Sequence, residues 1–150
     1  NTKVLRYITE YYEKELGYRL PYYYPIIGKN FNVTRAGIHA DGLLKNPEMY
    51  LPFDTEELLD IPPRVMISEH SGLAGIAFWM NSFFRLKGDE KIIKDDPTLK
   101  YIQDEVVKQY QEGRVTAMLD EEVATLVKRY MPYIWDKYRD RIIDNSILGS

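Results

Sequence analysis

Proline is spread unevenly along this 150-residue chain, and its placement sets what the chain can fold into. Of eight prolines, Pro21, Pro25, Pro47, Pro52, Pro62 and Pro63 crowd the first half. Each fixes φ and lacks an N–H donor, so no long helix can run through that stretch. Gly17, Gly28, Gly37 and Gly42 add turn positions along it. Residues 18–70 therefore read as an irregular, turning segment. Loops of that length in a compact domain are usually functional or belong to a larger assembly.

The flanks read as helix. In 2–16, Val4, Leu5, Ile8, Tyr12 and Leu16 recur at helical spacing, and Gly17 supplies a stop. Tyr22-Tyr23-Tyr24 reads as a packed strap. A short turn after Asn46-Pro47 carries Glu48, Met49 and Tyr50, and Asp54 suits the N-cap of TEELLD. RVMIS, from Arg64, reads as a short strand or an extended link. A longer helix is expected from Ser71, with Leu73, Ile76, Trp79, Met80 and Phe83 on one stripe and Gly88 at its end. KGDEKIIKDDP then reads as a charged surface linker. Asp96-Pro97 opens a helix facing inward through Leu99, Ile102, Val106 and Tyr110. Asp120 is expected to cap another, and Pro132 separates it from a last one. Asp136–Arg139 and Asp140–Arg141 read as a solvated face. The expected class is mainly α, with helical subdomains and one irregular Pro/Gly-rich segment, divided as 1–60 and 61–150.

Composition narrows the partners. The chain is 45% hydrophobic and 29% charged, which suits a globule and not a disordered chain. A net charge of −3 without a basic stripe argues against nucleic acid. With no cysteine, disulfides, thiolate catalysis and cysteine-based zinc sites are excluded. No apolar run approaches the ~20 residues that cross a bilayer, and the N-terminal stretch is not a signal peptide. A cytoplasmic protein is expected. Asn32-Val33-Thr34 fits a glycosylation sequon and reads as a chance occurrence. The first residue, Asn1, suggests a processed product or an excised part of something larger.

His39 and His70 are the only histidines. His39 lies in RAGIHADGLLK between two glycines, with Asp41 two residues on, placed to orient the ring. It reads either as a polar residue in a turn or as a working base. His39, Asp41, Glu48, Glu69 and His70 could ligate a metal, but they show no recurrent ligand spacing. No nucleophile elbow, Walker loop or dinucleotide fingerprint is present. The residues alone describe a helical module with one candidate active histidine.

AGIHADGLLKNPEMY resembles the GIH-x-DG-x-L-K run of the 2-isopropylmalate synthase, homocitrate synthase and Re-type citrate synthase family. PIIGKNF is similar to that family's P-x-VG-x-NAF approach to the same turn. YLPFD and ISEHSGLAGI are similar to its tyrosine segment and its HSG-x-x-A helix start. Together they span about residues 21–76 in the family's order. Residues 77–150 are similar only as a helical tail.

The resemblance implies the portion that follows a (β/α)8 barrel, reaching over an active site as a lid, with the barrel itself absent from this chain. It implies an acyltransferase that condenses acetyl-CoA with a 2-oxo acid, as in leucine and related biosynthesis. His39 and Tyr50 would be the catalytic pair, offered to a barrel, usually that of the partner protomer in a homodimer. Arg35, Asp41 and Ser71 would be supporting residues for substrate or CoA; for Arg35 a structural salt bridge is an equal reading. No metal or other cofactor is expected within this chain. A divalent Mg, Mn or Zn ion is expected in the barrel, and the isolated chain is expected to be inactive. The competing readings are a non-catalytic helical interaction module and a self-contained hydrolase with metal on His39, Asp41 and His70.

Overall fold

A computed structural model describes residues 1–34, 42 and 53–142. The expected strand-poor, helical class holds among these residues: six α-helices and a single two-stranded sheet.

Helix α1 (Val4–Lys14) carries an Arg6–Glu10 pair at 3.1 Å, and the chain turns at Gly17, φ +64°. None of its residues is buried; Val4, Ile8 and Tyr12 are between 43% and 48% exposed. The amphipathic stripe forms as expected, but no described element covers it.

Tyr22-Tyr23-Tyr24 is not a packed strap. All three rings are exposed, because the backbone here is occupied in a tight double turn. The Tyr24 N–H donates to Pro21 O at 3.0 Å, Gly28 N–H to Tyr24 O at 2.8 Å and Asn30 N–H to Tyr22 O at 2.7 Å. A Cβ on Gly28 would stand 2.4 Å from Tyr24 N and 2.6 Å from Tyr22 O, so only glycine fits.

From this turn the chain enters β1 (Val33–Thr34), which pairs in parallel with β2 (Arg64–Val65) in the register Val33 to Arg64. Between them lies α2 (Thr55–Leu59). The Asp54 carboxylate caps it, accepting from Glu56 N–H and Glu57 N–H, both at 2.9 Å. Asp60 ends it in the left-handed region, φ 60°.

The centre of the molecule is α3 (Leu73–Phe83). Periodicity predicted one apolar stripe; instead Gly75 through Asn81 are all buried. Helices on several sides enclose it: α4 (Leu99–Gln111), α5 (Asp120–Tyr130) and α6 (Pro132–Tyr138). Ile76, Met80, Phe84, Leu99, Ile102, Val123, Val127 and Met131 form the fully buried heart. The helix stops at Phe83, well before Gly88. Phe84 turns wholly into the core, and Arg85 takes φ 52° to allow it.

The charged stretch beyond is more than a surface linker. Ile92 is buried, and the Asn81 amide grips its backbone, donating to Ile92 O at 2.9 Å and accepting from Ile92 N–H at 2.8 Å. Asp96 is not the cap of α4: the helix starts at Leu99 with Thr98 at the N-cap, and the Asp96 carboxylate accepts from Thr98 N–H at 2.8 Å in the turn just before it. Gly113 at φ 108° follows its end.

Asp120 is not the cap of α5; Leu119 holds that position. There the Glu122 carboxylate accepts from Leu119 N–H at 2.7 Å and is gripped by Arg114 at 2.5 and 2.7 Å. Arg114 chiefly, with that N–H, holds the Glu122 carboxyl below its ordinary range. Arg141 ignores its neighbour Asp140 and forks onto Glu90 at 2.7 and 3.0 Å, clipping the last turn to the 88–90 turn.

Candidate functional site

The sequence motifs converge on the segment between β1 and α2, so the structure matters most at its two ends. His39, Tyr50, Arg35 and Asp41 lie outside the described residues, as do the other metal-ligand candidate Glu48 and the turn around it. Their flanks are described in full.

The outgoing end is β1. Asn32 O accepts from Arg64 N–H at 3.2 Å, and Thr34 O accepts from Met66 N–H at 2.9 Å, so the strand is stapled across its whole length. The incoming end is the Asp54-capped start of α2. Asn32 ties the two ends together. Its Nδ2 donates to Pro62 O at 3.0 Å, with Thr55 Oγ1 at 3.3 Å and Ile61 O at 3.4 Å as further acceptors. Thr55 is 2% exposed and Asn32 9%. The amide thus joins residue 32, just before the segment, to residue 55, just after it. Its Oδ1 is buried and has no hydrogen-bond partner among the described residues. An acceptor left so costs about 1–3 kcal/mol.

Ser71 belongs to the outgoing end. It is 3% exposed, accepts from Ser68 N–H at 2.9 Å and donates to Met66 O at 3.3 Å. Met66 is the residue whose N–H holds Thr34, so the ISEHSG turn braces β1 from behind. His70, two residues from Ser68, points into solvent with its side chain 84% exposed and Glu69 at 3.6 Å. The structure therefore draws Ser71 to the segment's root and leaves His70 apart from it.

Charged side chains secure the same root to the helical body. Asp120 accepts from Trp79 Nε1 at 2.8 Å and pairs closely with Arg64 at the start of β2. Arg85 Nη1 donates to Asp60 Oδ1 at 3.0 Å and its Nη2 to Asp60 O at 3.2 Å. These bonds join the ends of α2 and α3, the two left-handed residues gripping each other. Arg6 of α1 reaches Asp60 more loosely, at 3.9 Å. A cavity of about 230 Å³ separates α1 from this root, lined by Arg6, Glu10, Ile27, Leu59, Asp60 and Arg64 among others.

Among the described residues, no three His, Asp or Glu side chains converge to hold a metal ion, and no helix is long and apolar enough to cross a membrane. What they form is a rigid pedestal from which one segment departs and to which it returns. Sequence reasoning missed Asn32, taking it for part of a chance sequon. Its signal was weak: one amide between Phe31 and Val33, a polar residue where both neighbours are apolar.

No family model matches the chain. Individual relatives do. The citrate (Re)-synthase of Clostridium kluyveri is 43% identical over 138 residues, 92% of this chain and 30% of that protein. The citrate (Re)-synthase of Syntrophus aciditrophicus is 42% identical over 142 residues, 95% of this chain and 23% of that protein. The homocitrate synthase omega subunit of Clostridium pasteurianum is 34% identical over 85% of the chain. This chain spans about a quarter to a third of the length of these relatives, and the match falls in their C-terminal part.

Proposed function

We infer the function from this premise: the chain belongs to the citrate (Re)-synthase, homocitrate synthase and 2-isopropylmalate synthase family, and corresponds to its C-terminal part. In our reading the full-length protein condenses acetyl-CoA with a 2-oxo acid, and this chain supplies two of the groups that do so. The observation that carries the reading is the 42–43% identity to two citrate (Re)-synthases across more than nine-tenths of the chain. Identity to the homocitrate and isopropylmalate relatives is lower, 27–35%. That gap favours a citrate-forming reaction, with a four-carbon 2-oxo dicarboxylate as acceptor.

His39 is the base. An imidazole titrates near ~6.5 in the absence of perturbation, suited to taking a proton from the acetyl methyl group at neutral pH. The methyl carbon then bonds to the keto carbon of the 2-oxo acid, and the keto oxygen takes up a proton. Water cleaves the thioester to a carboxylate and the CoA thiol. The Tyr50 hydroxyl donates to the oxygen on which charge develops. Asp41 holds the imidazole tautomer, and Arg35 meets a carboxylate or a CoA phosphate. Ser71 supports the site through Met66 and β1. A divalent Mg, Mn or Zn ion polarises the keto group when bound. Among the described residues no three His, Asp or Glu side chains gather for such an ion; in our reading its ligands are those of the barrel. The active site belongs to a cytoplasmic homodimer in which the segment reaches the partner's barrel.

The test uses the full-length protein that contains this chain. With His39→Gln, kcat is expected to fall ~10²–10⁴-fold, the contribution of a general base. A loss of only a few-fold would remove His39 from the mechanism. Absence of condensation by the unaltered protein with every 2-oxo acid tried would overturn the reading itself.

A further inference from the structure

We propose that Asn32 is a positioning residue, whose side-chain amide clamps the two ends of the segment carrying His39 and Tyr50 and so sets where these groups stand. The inference rests on the function proposed above. Residues 35–52 separate β1 from the Asp54 cap of α2, and both groups fall within that interval of sequence. A segment fixed at one end only would leave His39 free to wander from its substrate. Misplacement by about 1 Å can cost a reaction ~10²-fold.

Three features make Asn32 the clamp. Its Nδ2 stands against acceptors on the incoming side only: Thr55 Oγ1, Ile61 O and Pro62 O. Its own backbone belongs to the outgoing side, where Asn32 O accepts from Arg64 N–H. And the amide is buried although its Oδ1 finds no partner among the described residues, so the donor half is what ties these elements together. An apolar residue of the same size would fill the space without the unpaired acceptor, but it would leave the Pro62 carbonyl unpaired and untie the ends. The parallel strands alone do not replace it, since they join residues 33–34 to 64–65 and not to the start of α2.

The experiment compares Asn32→Asp, Thr55→Val and Thr55→Ser with the unaltered full-length protein. Asn32→Asp keeps the shape and replaces the N–H donors by acceptors. Thr55→Val removes one acceptor, and Thr55→Ser restores it. The expected order of kcat loss, per folded molecule and well below the melting temperature, is Asn32→Asp at roughly 10–100-fold, Thr55→Val at a few-fold, and Thr55→Ser near the unaltered value. KM for acetyl-CoA is expected to stay within about twofold, because uniform binding is untouched. Three results would overturn the proposal: kcat for Asn32→Asp within twofold of the unaltered protein; kcat losses that follow only the unfolded fraction; or Thr55→Ser as damaging as Thr55→Val. An unaltered protein without condensation activity would overturn the proposed function, whereas an active one with an indifferent Asn32 would overturn this inference alone.

Discussion

The helical body, residues 65–138, and the leading region, residues 1–34, are built on opposite principles. In the body, α3 is buried from Gly75 to Asn81 and is enclosed by α4, α5 and α6. In the leading region α1 buries nothing, and the rings of Tyr22, Tyr23 and Tyr24 stand in solvent. The body is held by apolar packing, which requires no partner. The leading region is held by hydrogen bonds in the Gly28 turn and by ion pairs such as Arg6–Glu10 and Lys29–Glu13. The pedestal that carries the candidate segment lies between the two. It draws rigidity from the body through Trp79–Asp120–Arg64 and Asp60–Arg85, and it receives its chain from the leading region.

The sharpest way to test that contrast is to remove packing from the body. Phe84 is fully buried, edge-on to Phe83 with ring centres 5.1 Å apart and to Trp135 at 6.1 Å. Phe84→Ala should cost about 3–5 kcal/mol of unfolding free energy, read from urea or guanidinium transitions. A loss below ~1 kcal/mol would mean that the body is not the stabilising unit.

In the leading region the largest expected effect comes from the backbone. A Cβ at residue 28 would collide with main-chain atoms of Tyr22 and Tyr24 at 2.4–2.7 Å. None of these three atoms is the end of a flexible side chain, so the turn itself must open. Gly28→Ala should cost about 1–3 kcal/mol. Hydrogen exchange should rise at residues 22–34, with the amides of α3 and α5 unchanged. Equal acceleration in α3 would show that the two regions unfold as one, and the contrast would collapse.

The same contrast explains what the sequence disclosed. A helix start was legible where a short polar side chain acts on its own neighbours: Asp54 caps α2 as expected, whereas Asp96 turns the chain at Thr98, one turn short of the cap expected of it. Asp120 has the same chemistry at the same kind of position, yet tertiary partners, Trp79 and Arg64, claim its carboxylate. Periodicity gave α1 its correct stripe because the helix is half in solvent. It misjudged α3, because a helix buried all round has no polar face to mark the stripe. RVMIS, read as a short strand or an extended link, supplies β2; its parallel partner β1 was hidden, as two residues leave no alternation to read. Of the site, the motifs pointed to His39 and Tyr50, and Ser71 proved to brace β1. Asn32 was illegible, since nothing local tells an amide that spans 23 residues to Thr55 from one that faces water.

The smallest expected effect bears on α1, where the contrast is most exposed to failure. Arg6 pairs with Glu10 at 3.1 Å and more loosely with Asp60 at 3.9 Å, its side chain only 17% exposed beside the cavity. Surface pairs of this kind contribute about 0.2–1 kcal/mol and weaken with salt. Arg6→Gln should leave the denaturation midpoint of the body unchanged and accelerate amide exchange in Val4–Lys14 a few-fold. Raising the ionic strength to about 1 M, where the screening length is ~3 Å, should do the same to the unaltered chain. If α1 exchanges as slowly as α3 in both cases, its hold on the root is apolar after all. The leading region would then have to be read as part of the packed body.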